Sequence, residues 1–149
     1  MKKTVLIAAA AVLAAALAGC GSGAKTYKDG TYTAESSVYE SLEDDEDEGG
    51  AGYGVVTITL KDNVITDCQF TTYMPDGTPK DENYGKEDGE IANQDYYNKA
   101  QRAVKASQNY AEQLAAKGSL DQVDAITGAS ISFDEFNEAV DLALKQAEE

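Results

Sequence analysis

Histidine and tryptophan are missing from all 149 residues, and cysteine and proline occur twice each. Without histidine, Ser-His-Asp and Cys-His nucleophilic catalysis cannot be assembled, and the common zinc ligand sets lose their nitrogen donor. Hydrolase chemistry is therefore a poor fit. Cations are scarce as well: 12 Lys and Arg stand against 27 Asp and Glu, a formal charge of −15. A chain this acidic repels phosphate backbones, so nucleic acid is not an expected partner, and the folded part is not expected to bind anionic lipid. Any aromatic surface has to come from nine Tyr and three Phe.

The N-terminus shows what one cysteine is for. Lys2 and Lys3 precede an uninterrupted Ala-rich apolar run that closes with Leu17-Ala18-Gly19-Cys20. The run is short for a membrane span and has the charged start of a secretion signal. Its end resembles the bacterial lipobox, which implies cleavage before Cys20, acylation of that thiol and anchoring on the extracytoplasmic face of the cell membrane. At ~0.8 kcal/mol per buried methylene, two or three acyl chains anchor a protein firmly. An ordinary cleaved signal with an incidental Cys20 is the plainer alternative. The expected organisation is a signal peptide over residues 1–19, a lipidated tether over 20–26 and one domain over 27–149, a length suited to a single core. Cys68 then has no partner for an intrachain disulfide and reads as a small buried apolar residue.

Along the domain, Asp29-Gly30 signals a turn, and Thr31 to Ser36 has the β-branched and aromatic character of a strand. Val55 to Leu60 alternates with Val56, Ile58 and Leu60 on one side. A turn at Lys61-Asp62-Asn63 leads into Val64 to Met74, with Val64, Cys68 and Phe70 on a shared face, which predicts an antiparallel hairpin. Seven of the nine residues from Glu40 to Glu48 are acidic. Such density stays solvated, and the spacing of a calcium-binding EF-hand loop is missing. The run Gly49-Gly50-Ala51-Gly52-Tyr53-Gly54 superficially resembles a dinucleotide fingerprint, yet it enters a strand rather than joining strand to helix. It reads as flexible backbone that could also lie against a ligand. Pro75 to Glu90 is a long polar loop. Asn93 is a fair N-cap for a helix reaching Lys117, where Gly118 stops it; the stripe Tyr96, Ala100, Ala103, Ser107, Tyr110 and Leu114 reads as packing against the sheet. This order predicts an α+β fold, an antiparallel sheet packed with two main helices.

The second helix follows Asp124-Ala125-Ile126-Thr127-Gly128-Ala129-Ser130. Ser132 and Glu135 have the S-x-x-E spacing of a capping box, with Ile131 and Phe136 at the positions of a hydrophobic staple, which predicts a helix starting at Ser132. Phe133, Phe136, Ala139, Val140, Ala143, Leu144 and Ala147 then follow the apolar spacing of one helix face. Ser130 would sit two residues before the cap, where a phosphate ester on its oxygen meets unpaired N–H groups and the positive end of the helix dipole. A plain turn entering a capped helix would also use Gly and Ser.

The heptapeptide DAITGAS resembles the flavinylation motif of the FMN-binding domain family, DxxTGAT or DxxSGAT, whose last hydroxyl carries FMN through a phosphoester. Asp29-Gly30-Thr31-Tyr32 also matches the early DGxY strand of that family, and the resemblance runs from about Tyr27 to the C-terminus. It implies that Ser130 is the FMN acceptor, that Asp124 is the leading acid used by a flavin transferase, and that Thr127, Gly128 and Ala129 form the presenting turn. The family acceptor is usually Thr; Ser has the same alcohol chemistry without the methyl that restricts its rotamer. The aromatic platform for the ring would be Tyr, or Phe70, Phe133 or Phe136. The resemblance further implies an electron carrier rather than an enzyme, receiving electrons from a membrane-bound dehydrogenase and serving as substrate of the flavin transferase. A non-redox acidic surface lipoprotein binding a small solute is the competing expectation, and a role for the cleaved signal segment itself as a peptide pheromone is a third.

Overall fold

The computed structural model describes residues 24–40 and 50–149. Cys20, the signal segment and nearly all of the acidic run lie outside the described residues.

Three strands form one antiparallel sheet in the order β1-β2-β3, with β1 at Gly30–Glu35, β2 at Tyr53–Lys61 and β3 at Val64–Tyr73. β1 pairs with β2 from Gly30 opposite Leu60 to Glu35 opposite Val55. The β2–β3 hairpin turns at Asp62 and Asn63, both at positive φ (50° and 66°), the geometry that matches the twist of a tight hairpin. α1 spans Gln94–Lys117, a 3-10 turn η1 covers Leu120–Gln122, and α2 spans Ser130–Ala147. Both helices lie on one face of the sheet, α1 over β3 and α2 over β1 and β2. The α+β reading therefore holds.

The alternation in β2 works as its sequence implies: Val56, Ile58 and Leu60 are buried against the helices. β3 departs from expectation at its start. Val64 is 47% exposed and Ile65 takes the core position, 3% exposed. The cause is a register shift at Thr59/Leu60: Thr59 faces Asp67, but Leu60 faces Ile65, so one extra residue of β3 is accommodated there. A bulge of this kind turns the side chains before it to the other face. Cys68 and Phe70, beyond the bulge, point inward as predicted. Burial, reinforced by Asp67, pushes the Cys68 thiol up to about 12, which keeps it protonated and unreactive.

α1 is delimited at both ends as its sequence indicates. The Asn93 side chain accepts hydrogen bonds from the N–H groups of Asp95 and Tyr96, and Gly118 closes the helix in the left-handed conformation at φ 77°. In α2, Ala139, Ala143 and Ala147 recur every fourth residue and are fully buried, so the helix sits close on the sheet. Phe136 joins the two halves of the core, edge-on to Phe70 with ring centroids 5.0 Å apart and stacked on Tyr110 at 5.7 Å. The segment before β1 pairs with the end of α2: Lys28 N–H donates to Ala147 O at 2.9 Å and Glu149 N–H to Thr26 O at 3.1 Å.

Candidate functional site

The start of α2 corrects the sequence reading. The helix begins at Ser130, two residues early, with Ala129 as its N-cap and no side-chain cap hydrogen bond. Ser132 and Glu135 do not form a capping box: both are buried, and neither Glu135 carboxylate oxygen has a hydrogen-bond partner. Ile131 and Phe136 consequently no longer stand at staple positions. Tertiary contacts explain why local spacing lost. Gly128 at φ 83° reverses the chain, and Ala129 O accepts the first intrahelical bond from Phe133 N–H at 3.1 Å. The buried phenol of Tyr110 then locks the turn, accepting from Ile126 N–H at 3.0 Å and donating to Ala129 O at 3.2 Å.

Two further α1 residues on the same face hold the front of the motif. Gln113 accepts from Asp124 N–H at 2.9 Å and donates to Asp124 O at 3.2 Å, while Lys117 Nζ lies 2.9 Å from the Asp124 carboxylate. Tyr110, Gln113 and Lys117 follow the helical three-and-four spacing, so one side of α1 templates the loop. The Asp124 side chain is 86% exposed and does not line the cavity described next. Thr127 is exposed and also outside that cavity. Gly128, Ala129 and Ser130 line it.

The cavity, about 360 Å³, lies between the first turn of α2, the N-terminal half of α1 and the loop after β3. Its α2 wall is Ser130, Ile131 and Ser132, whose N–H groups precede the first intrahelical bond and so are available to a ligand. Its α1 wall is Tyr96, Lys99, Ala100, Ala103 and Val104. The stripe read as core is therefore divided: Ser107, Tyr110 and Leu114 pack inside, whereas Tyr96, Ala100 and Ala103 face the cavity. Small residues there leave room for a ligand.

Gly50, Thr72, Lys80 and Tyr84 complete the lining. Gly50 belongs to the glycine run that the sequence allows to lie against a ligand, whereas Thr72, Lys80 and Tyr84 carry no such signal, because neither strand alternation nor a polar loop marks which residues face a ligand. The loop is nevertheless well fixed. Lys80 N–H donates to Thr72 O at 2.8 Å, and Gln101 Nε2 on α1 donates to Asp81 O at 3.0 Å and Tyr84 O at 2.9 Å. Lys80, 9% exposed, sends its ammonium to Gly50 O at 3.2 Å and over the Tyr84 ring, 5.2 Å from the centroid. Glycine is required beside it: at Gly52, φ 151°, a Cβ would collide with the Tyr73 carbonyl and the Lys80 ammonium. The glycine run thus serves close approach rather than flexibility, with Gly50 reaching the cavity.

Charge at this end of the fold is unusual. Glu135, 4% exposed, interacts electrostatically with Lys80 and Tyr84. Burial pushes its carboxyl up to about 7; Lys80 opposes the shift and Asp134 adds to it. Burial pulls the Lys80 ammonium below the ordinary lysine value, and the Glu135 charge partly offsets this. The Tyr84 phenol is raised by burial first, then by Tyr96 and Glu135. Together the walls offer cations, backbone donors and aromatic rings around a narrow space, which suits an anionic ligand with a planar apolar part.

Comparison with known proteins agrees with this chemistry. The sequence profile of the FMN-binding domain matches residues 49–145, well over half of the chain. That match begins after β1, so the Asp29-Gly30-Thr31-Tyr32 segment lies outside it although β1 is part of the sheet. No curated protein matches the chain. The crystal structure of the CPE2226 protein from Clostridium perfringens is similar in fold, with a TM-score of 0.55 and 22% identity, covering 82% of this chain and 89% of that one. The chain belongs to the FMN-binding domain family and is a flavin-binding protein.

Proposed function

We propose that this protein is an extracytoplasmic electron carrier, held at the membrane through lipidated Cys20, with FMN joined to the Ser130 hydroxyl by a phosphoester. The observation that carries the reading is the position of Ser130: first residue of α2, in the wall of a cavity, beside N–H groups with no intrahelical partner. A phosphate on Ser130 Oγ would be met by those donors and by the positive end of the helix dipole. The 360 Å³ cavity is at the small end of the ~300–1,000 Å³ usual for ligand sites, and its open mouth suits a ring that stays accessible to redox partners. Tyr84 and Tyr96 are the aromatic side chains of the cavity wall, and Lys80 and Lys99 its cationic residues. Phe70, Phe133 and Phe136 are not in the cavity wall.

When bound, FMN supplies one- and two-electron transfer. The chain's own residues position it: Tyr110 and Gly128 fix the presenting turn, Ala100 and Ala103 give space, and the buried Lys80 sets a positive potential on the inner wall. The protein is then a carrier and the substrate of a flavin transferase, with Asp124 exposed for recognition by that enzyme. Its partners in this reading are a membrane-bound electron donor and an external or membrane acceptor. Covalent attachment makes retention independent of affinity, an advantage outside the cytoplasm where free flavin is diluted.

Co-expression with a flavin transferase tests the reading. The expected product is yellow, fluoresces after denaturing electrophoresis, and carries an FMN mass on the peptide containing Ser130. Ser130→Ala should lose both signals and Ser130→Thr should retain them. An unmodified wild type under conditions that flavinylate another family member would refute the attachment.

A further inference from the structure

Lys80 lines the cavity, and Glu135 is enclosed behind that wall, close enough to interact with Lys80 and Tyr84 but without direct pairing. Both Glu135 oxygens are sealed from solvent and accept no hydrogen bond, while Lys80 spends its contacts on Gly50 O and the Tyr84 ring. A structural ion pair would bring the two together; an apolar core would contain neither. Among the described residues, the groups facing Glu135 are Lys80 and Tyr84 from the loop after β3, Asp134 from its own helix, and from β2 the backbone of Gly54, where a Cβ would lie 3.4 Å from that of Glu135.

Such a pair has two accessible charge states. With Glu135 ionised its net charge is zero; with Glu135 protonated Lys80 is uncompensated and the net charge is +1. Negative charge arriving in the cavity stabilises the second state, because it is attracted to Lys80 and repelled by a carboxylate. By linkage, the proton and the anion then favour one another.

We propose that Glu135 is a proton-coupled positioning residue for the cavity, binding one solvent proton when negative charge appears on the ligand beside Lys80. This deepens the flavin reading, and the part of it that concerns reduction rests on that reading. For an electron pair delivered to the ring by an external reductant such as dithionite, the carboxylate gains one proton from water, its own C–O bonds are unchanged, and no electron passes through Glu135. The protein thereby makes charge in the cavity depend on pH in the neutral range, to which the burial-raised carboxyl is matched.

The test has two arms on the full chain. In protein without flavin, carbon-detected NMR follows the Glu135 side-chain carboxyl as pH is varied; its midpoint is expected in the neutral range and higher still in Lys80→Met. In FMN-loaded protein, the dependence of midpoint potential on pH between 6 and 8 gives the protons bound per electron pair. Wild type is expected to exceed Glu135→Gln by up to one proton. Ordinary carboxylate titration in the first arm, or equal proton counts in the second, would overturn the proposal. A neutral-range Glu135 together with a bare Ser130 would support the charge pair and refute the flavin attachment, so the two failures are separable.

Discussion

A carboxyl sealed inside a fold with neither oxygen hydrogen-bonded opposes folding once it ionises, and Glu135 is in that position. Its ordinary value of 4.5 rises to about 7 on folding. Below pH 4.5 it is protonated in both states and contributes no penalty. Between 4.5 and 7 the unfolded chain releases the proton while the folded protein keeps it, so stability falls as pH rises, and the loss is complete above 7. The span corresponds to about 3 kcal/mol as an upper figure. Denaturant unfolding at pH 4.5 and pH 7.5 should show wild type losing stability relative to Glu135→Gln over this window; a difference between the two proteins that does not change with pH would contradict the assignment. At this scale the sequence was legible where chemistry is local. Gly128, Ala129 and Ser130, which line the cavity, stand together in one short motif. Glu135 was not legible, since its S-x-x-E spacing to Ser132 is the spacing of a cap, and only the packing of Gly54, Phe70 and Lys80 around it decides otherwise. Lys80 lies in a loop whose polar composition says nothing about burial.

At the scale of elements, the turn before α2 is built by α1 as much as by its own residues. Tyr110→Phe keeps the ring packing against Phe133 and Phe136 but leaves Ile126 N–H and Ala129 O without their shared partner. The expected cost is about 1–3 kcal/mol, with a lower fraction of chains flavinylated at equal transferase exposure. Lys117→Met, which removes the exposed pair with Asp124 together with the ammonium's hydrogen bonds to Gln113 Oε1 and Gln122 O, should cost about 1 kcal/mol or less. Thermal unfolding and intact mass check both variants, and equal flavin occupancy in Tyr110→Phe and wild type would show that the clamp is dispensable. The helix ends at Asn93 and Gly118 were readable because capping depends on a few adjacent residues. The β3 register was not, since the bulge opposite Thr59/Leu60 arises from pairing between strands and leaves no mark in β3 alone. Likewise the α1 stripe has one periodicity throughout, and only the loop from Pro75 to Glu90 and the start of α2 divide it into core and cavity wall.

Across the whole molecule, charge is the dominant property, with a formal −15 on 149 residues. Lys80 and Lys99 stand in the cavity wall, whereas the chain as a whole is strongly acidic, so in the electron-carrier reading an encounter partner is met first by negative charge. In that reading long-range attraction would favour cationic partners, and salt should weaken the preference, since the Debye length is ~10 Å at 0.1 M. Small inorganic oxidants separate this effect from specific docking. Reoxidation of the dithionite-reduced, FMN-loaded protein by hexaammineruthenium(III), a cation, should slow as ionic strength rises. Reoxidation by ferricyanide, an anion, should accelerate under the same conditions. Stopped-flow absorbance of the flavin measures both rates. Slowing of the cation together with acceleration of the anion would assign the acidic exterior to the selection of basic electron-transfer partners; the reverse pair of slopes would mean that the ring exchanges electrons under a positive local field at the cavity, with the exterior serving only solubility.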